Sequence, residues 1–182
     1  MFIMAKFQNR YRIESTRLKN WDYGSDAIYF VTICTQHREH FFGEIANGKM
    51  ELNEIGELVQ NEWLKSAEIR PDMNLKLGAF VVMPNHFHGI ITIGSNKYNT
   101  RRDAKPRVST FGAQSNNLAS IIRGFKSSVS INTRKIIPSF GWQARFHDHI
   151  IRDFDSFHRI EQYIQNNPGK WTKDKFSKIT SR

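Results

Sequence analysis

The sequence predicts an α+β fold in which an antiparallel sheet carries packed helices. Three observations point that way. Short runs rich in β-branched and aromatic residues alternate with longer stretches of helical apolar spacing. Two pairs of adjacent strands are joined by tight turn signals, Asn47-Gly48 and Pro84-Asn85. The strands and helices are mixed along the chain, not segregated into blocks. At 182 residues this is one domain spanning 1–182, with a basic flexible segment at 95–116 and basic terminal extensions.

Ile28 to Gln36 (IYFVTICTQ) reads as a central strand. Phe41 to Ile45 and Lys49 to Leu52 form a hairpin around Asn47-Gly48. Asn53 can cap a helix running to about Ile69, with Ile55, Leu58, Val59, Trp63 and Leu64 on its inner side. Its outer side carries Glu54, Glu57, Glu62 and Glu68, so it should face away from any polyanion. Leu75 to Met83 and His86 to Ile93 read as two strands. Leu118, Ile122, Phe125 and Val129 make the buried stripe of a helix over 116–133. Arg145 to Arg152 is a short strand. A last helix opens at Asp155 or Ser156, buries Phe157, Ile160 and Ile164, and stops at Pro168-Gly169.

No run of apolar residues is long enough to span a membrane. The N-terminus lacks the apolar core of a secretory signal. The single cysteine, Cys34, excludes an intrachain disulfide framework and fits a reducing cytoplasm, so a cytoplasmic location is expected.

Charge narrows the choice of partner. The formal net charge is +10, but it is unevenly spread. From Lys97 to Lys135 there are nine basic residues and one acid, whereas Asn20 to Asn96 holds five basic residues and ten acids. Residues 1–19 and 170–182 each add five basic residues against one acid. A chain polarised in this way concentrates polyanions and can neutralise phosphates. Nucleic acid is the expected partner, a solubilising surface the plainer alternative.

Two His-x-His pairs are candidates for chemistry, His86-Phe87-His88 and His147-Asp148-His149. On a strand, residues i and i+2 share a face about 6.5–7 Å apart, so two imidazoles can converge on one metal ion. On pattern alone each pair reads first as structural. Tyr163 reads as a half-buried aromatic beside Ile160 and Ile164, and Asn167 before Pro168-Gly169 as a C-terminal cap.

A resemblance changes that weighting. The run Phe80-Val81-Val82-Met83-Pro84-Asn85-His86-Phe87-His88-Gly89-Ile90 is similar to the signature strand of the HUH single-tyrosine transposases, in which U is a bulky hydrophobic residue. Tyr29 to Thr35, Ile121 to Ser127, Trp142-Gln143, Phe146 to Arg152 and Tyr163 to Pro168 agree in order with the REP-associated tyrosine transposase branch of the insertion-sequence 200-like transposases, over roughly residues 10 to 175.

The resemblance implies a ferredoxin-like HUH domain. It implies Tyr163 as the catalytic nucleophile, His86 and His88 as paired metal ligands, and Asn167 as the polar ligand one helical turn later. Positions i and i+4 are neighbours on a helix, so this pairing is physically sound. The family's classical relatives have glutamine where this chain has Asn167, which puts metal preference in doubt. The implied cofactor is a divalent ion, Mg²⁺ or Mn²⁺, although two imidazoles alone would suit zinc or another transition ion.

The implied activity is cleavage and rejoining of single-stranded, hairpin-containing DNA through a 5′-phosphotyrosine intermediate, as in DNA transposition. Trp142 and Phe146 are expected to stack on unpaired bases. Arg101, Arg102, Lys105, Arg107, Arg123 and Lys126 are expected to contact phosphates. Family members act as monomers or as homodimers, and both stay open, as does the role of His147 and His149. Two rival readings differ in class: a nucleic-acid-binding module without catalysis, and a metal-dependent hydrolase using both histidine pairs.

Overall fold

The computed structural model describes residues 6–7, 10–11, 18, 21–100, 115–174 and 176–177. Arg101, Arg102, Lys105 and Arg107 lie outside the described residues, as do most of residues 1–20 and 178–182.

The elements in chain order are β1 (Lys6–Phe7), β2 (Arg10–Tyr11), β3 (Ala27–Cys34), β4 (Gly43–Ala46), β5 (Lys49–Leu52), α1 (Glu54–Glu68), β6 (Leu75–Met83), β7 (His86–Ile93), α2 (Leu118–Thr133), β8 (His147–Ile151) and α3 (Phe154–Asn166). The main sheet is antiparallel, with order β6-β7-β3-β8. Taken with α1 and α2, this is the βαββαβ arrangement of a ferredoxin-like fold, so the expected α+β architecture is what forms. The β4–β5 hairpin is inserted between β3 and α1, and α3 is appended after β8.

Local signals act as the residues suggest. Asn47 and Gly48 both have positive φ, 51° and 73°, which matches the twist of a two-residue hairpin turn. The Asn53 side chain accepts hydrogen bonds from the backbone N–H of Ile55 and Gly56, both at 3.0 Å, and so starts α1. The last helix begins slightly earlier than its sequence suggests. Asp153 accepts from the Ser156 backbone N–H at 2.7 Å and caps it, leaving Phe154 as an exposed first residue. After α3 the chain tightens into a 3₁₀ segment, Pro168–Lys173. Pro168 tolerates that position because its missing N–H would have no helical partner.

Strand alternation divides the hydrophobic residues between two layers. On one face Tyr29, Val31 and Ile33 of β3 and Phe87, Ile91 and Ile93 of β7 pack beneath α1 and α2. Ile55, Val59 and Trp63 come from α1; Leu118, Ile121, Ile122, Phe125 and Val129 come from α2. Each such large side chain fully buried stabilises the fold by about 1.5–3 kcal/mol before entropy is counted. On the other face a smaller cluster of Ile90, Ile151 and Ile164 lies beneath α3, with Phe30, Val81, Phe157 and Ile160 around it. The acidic helix α1 therefore lies on the opposite side of the sheet from α3, as its charge pattern suggested.

Gly89 sits where β7 meets α1. A Cβ there would stand 2.8 Å from Phe87 and 2.9 Å from Trp63. Gly89→Ala should destabilise the protein by about 1–3 kcal/mol through overpacking, measured as a lowered midpoint in urea unfolding. An unchanged midpoint would mean that Trp63 and Phe87 can move apart freely.

Candidate active site

β7 is buried on both faces, so the alternation of its side chains has chemical consequences. Phe87 points into the main core against Trp63, with ring centroids 4.6 Å apart. His86 and His88 must then face α3, where they are 0% and 1% exposed and their rings lie 4.5 Å apart. Two buried imidazoles carried by one rigid strand are costly unless their nitrogens are satisfied.

The turn before β7 orients the first histidine. The Asn85 carboxamide nitrogen donates to the carbonyls of Arg38 at 2.9 Å and Phe176 at 2.8 Å. Its oxygen accordingly faces His86 Nδ1 at 2.9 Å and can only accept. The His86 proton is therefore on Nδ1, and the ring's lone pair is on Nε2. Thr35 holds the turn itself, since its backbone N–H and its hydroxyl both donate to the Asn85 carbonyl at 2.9 Å.

His88 is held between two hydroxyls. Its Nδ1 is 2.8 Å from Thr32 Oγ1, and its Nε2 is 3.2 Å from the Tyr163 hydroxyl. A phenol is a stronger acid than an alkyl hydroxyl, so Tyr163 donates toward Nε2 and the imidazole proton sits on Nδ1 beside Thr32. Both histidines thus present the Nε2 lone pair, each through an oxygen partner on Nδ1. That is how neighbouring groups commonly orient metal-ligating imidazoles.

Tyr163 comes from α3, 40% exposed, with its ring edge-on to Phe30. Partial burial pushes its phenol above the usual tyrosine value, with the Asp174 carboxylate adding to that and the Asn167 amide opposing it. One helical turn on, Asn167 is 2% exposed and its Nδ2 donates to Asp174 at 3.5 Å. Its Oδ1 is buried with no hydrogen-bond partner. Tyr163, Asn167, Lys170, Lys173 and Asp174 line a cavity of about 530 Å³.

These residues fit a metal ion in one specific way. Among the described residues no group of three or more His, Cys, Asp or Glu could hold one. An ion held by His86 and His88 would need a further ligand, such as an uncharged oxygen. The orphaned Oδ1 of Asn167 is such an oxygen, and a buried acceptor without a partner is expensive unless something occupies it. His147 and His149 do not join this set. The strand register places His88 and His147 on either side of Thr32, two strand spacings apart, and both residues of the second pair are exposed.

The remaining sequence candidates are placed elsewhere. Arg123 and Lys126 are on α2, which packs on the opposite face of the sheet from Tyr163. The Lys126 ammonium donates to the carbonyls of Gln143 at 2.5 Å and Arg145 at 3.5 Å, and burial lowers its pKa. Trp142 corrects an expectation. Its indole N–H donates to the Lys126 carbonyl at 3.2 Å and its ring packs on Phe42 and Phe140, so it is partly buried against the main core, and that packing limits the face it could offer to a base. Phe146 also packs against the main core. Sequence reasoning passed over Asn85, Thr32 and Asp174. Asn85 and Thr32 both stood in quoted runs, Asn85 beside the histidine pair, whereas Asp174 carried no signal because only folding brings it close.

No family model matches the chain. A curated relative, an uncharacterized protein of Haemophilus influenzae, is 38% identical over 164 residues, covering 88% of this chain and 90% of its own length. A solved structure of a REP-associated tyrosine transposase bound to a REP hairpin is 20% identical, with a TM-score of 0.54 over 87% of this chain and 74% of that one. By identity and coverage the chain belongs to the family of the Haemophilus influenzae protein, and its fold is like that of the transposase.

Proposed function

We propose that this protein cleaves and rejoins single-stranded DNA, with Tyr163 as the nucleophile. The single observation that carries this reading is the 40% exposed Tyr163, whose hydroxyl is 3.2 Å from Nε2 of His88, the ring next to His86, and which lines a cavity together with Asn167. The REP-associated neighbour is bound to a hairpin, which supports a hairpin-bearing strand as the substrate.

In the forward step the Tyr163 oxygen forms a bond to phosphorus and the bond from phosphorus to the 3′ oxygen breaks. The departing oxygen takes up a proton and becomes a free 3′-OH, while the phenolic proton leaves to solvent from the exposed side of the ring. The 5′ end stays esterified to Tyr163. A 3′-OH attacking that phosphotyrosine reverses the exchange, and because one phosphoester replaces another no nucleotide cofactor is needed. His86, His88 and Asn167 would hold a divalent ion, Mg²⁺ or Mn²⁺, which supplies charge neutralisation at the phosphoryl oxygens. The His88 lone pair that receives the tyrosine hydrogen bond is the same one an ion would use, so the ion and the phenol compete for it.

Tyr163→Phe should abolish the covalent protein–DNA adduct on a denaturing gel with labelled hairpin strands and Mn²⁺. Stability should stay within about 1 kcal/mol of the parent, the scale of one lost hydrogen bond. Because the competing phenol is removed, calorimetric Mn²⁺ affinity should be equal or tighter. An adduct formed by this variant would transfer the nucleophile to another residue.

His86→Ala should eliminate the adduct and Mn²⁺ binding together while leaving DNA affinity largely intact. Asn85→Leu keeps both imidazoles but removes the acceptor that sets the His86 tautomer, and should weaken Mn²⁺ binding about 10–100-fold. Wild-type Mn²⁺ affinity in a folded Asn85→Leu variant would show that the tautomer is set by something else.

A further inference from the structure

The turn that follows the nucleophile helix is a second charged surface within reach of Tyr163. Lys170 and Lys173 are three residues apart in the Pro168–Lys173 3₁₀ segment, where positions i and i+3 eclipse on one side. Both line the cavity that also contains Tyr163 and Asn167. Among the described residues no ion pair engages either ammonium. The cavity contains one acid, Asp174, against two lysines, and Asp174 accepts from the Asn167 amide.

The lysines also stand on a fixed base. The Lys170 backbone N–H donates to the Asn167 carbonyl at 3.1 Å, and that of Asp174 donates to the Trp171 carbonyl at 2.9 Å. Between the lysines, the Trp171 ring lies 5.6 Å from His40 and 5.9 Å from His86. Gly169 is close against Gly48 of the β4–β5 turn. The part of α3 before Tyr163 is different. Asp153, Asp155 and Glu161 mix there with Arg159, whose guanidinium donates to Ser156 Oγ at 2.8 Å, and with His158, which pairs with Glu161.

We infer that Lys170 and Lys173 form a phosphate-binding site for the strand next to the phosphate that Tyr163 attacks, so that the strand leaves the nucleophile over the C-terminal end of α3. This rests on the strand-transfer reading and adds the direction of the substrate and the residues that hold it. Cations rooted in an ordered turn lose less freedom on binding than those of a loop, so they position a phosphate as well as attract it. Lys126, by contrast, spends its donors on backbone carbonyls across the sheet.

The test uses the full chain carrying Tyr163→Phe, so that binding is read without covalent capture. Affinity for a short single-stranded oligonucleotide is measured at a series of salt concentrations. Lys170→Ala with Lys173→Ala should lower the log–log salt slope by about 1.4, since each lost single-strand phosphate contact removes about 0.7. Arg159→Ala should leave the slope unchanged. A slope retained by the double lysine variant, with the same melting temperature as its parent, overturns the inference, as does a drop produced by Arg159→Ala instead. The strand-transfer reading fails separately, if the chain with Tyr163 intact forms no adduct while the lysine-dependent slope is present. Absence of any salt-dependent binding by the parent removes both.

Discussion

Two-sided burial of β7 is the constraint from which the rest of the site follows. A strand in the middle of a sheet presents alternate residues to alternate faces, and here both faces are covered by helices. Phe87 is fixed in the main core by Trp63, Phe80 and Phe125, so rotation or slippage of the strand would expose a large aromatic ring. A one-residue slip would also send both histidines into an apolar layer. The packing of one phenylalanine therefore holds two imidazoles toward α3.

The polar shell works by the same economy. Asn85 occupies a turn between two buried strands, where its side chain satisfies two backbone carbonyls and one imidazole at once. It ties the segment around Arg38 and the chain near Phe176 to the histidine pair. Phe176 in turn packs on the His86 ring at 4.7 Å and lies beneath the Arg38 guanidinium. Such a network is favourable only when every donor and acceptor is matched, which makes the buried Asn167 Oδ1 and His86 Nε2, neither with a hydrogen-bond partner, informative exceptions.

The two faces of the sheet differ in chemistry as well as in size. The larger face is closed by α1 and α2, and their contact includes a hydrogen bond from Ser128 to Glu62 at 2.6 Å. Glu54, Glu57 and Glu68 of α1 face outward there, while Glu62 is turned in to that contact. The smaller face has only α3 over it, and this leaves Tyr163 partly in solvent while the histidines beneath are dry. The proposed nucleophile would need that difference: its oxygen would have to reach a large substrate, while the groups that orient it stay out of water.

The sequence by itself determined the α+β class and most of the elements from β3 onward. Those are local properties: turn chemistry at Asn47-Gly48, the Asn53 cap, period-two strands and the apolar stripe of α2 all act over a few residues. It also placed Tyr163 and Asn167 on one side of a helix, because helical spacing alone does that. Spacing alone left open which histidine pair meets them, the resemblance singled out His86 and His88, and the tertiary structure is what brings that pair to Tyr163. His86-x-His88 and His147-x-His149 have the same spacing, and nothing local separates a pair on a central strand from a pair on an edge strand. Register did so, by setting β7 beneath α3 and leaving the β8 histidines exposed. The same long-range pairing brought Thr32 to His88, packed Trp142 against the core and engaged Lys126 with backbone carbonyls. Residue type states what a side chain can do; its neighbours across the sheet decide what it is free to do.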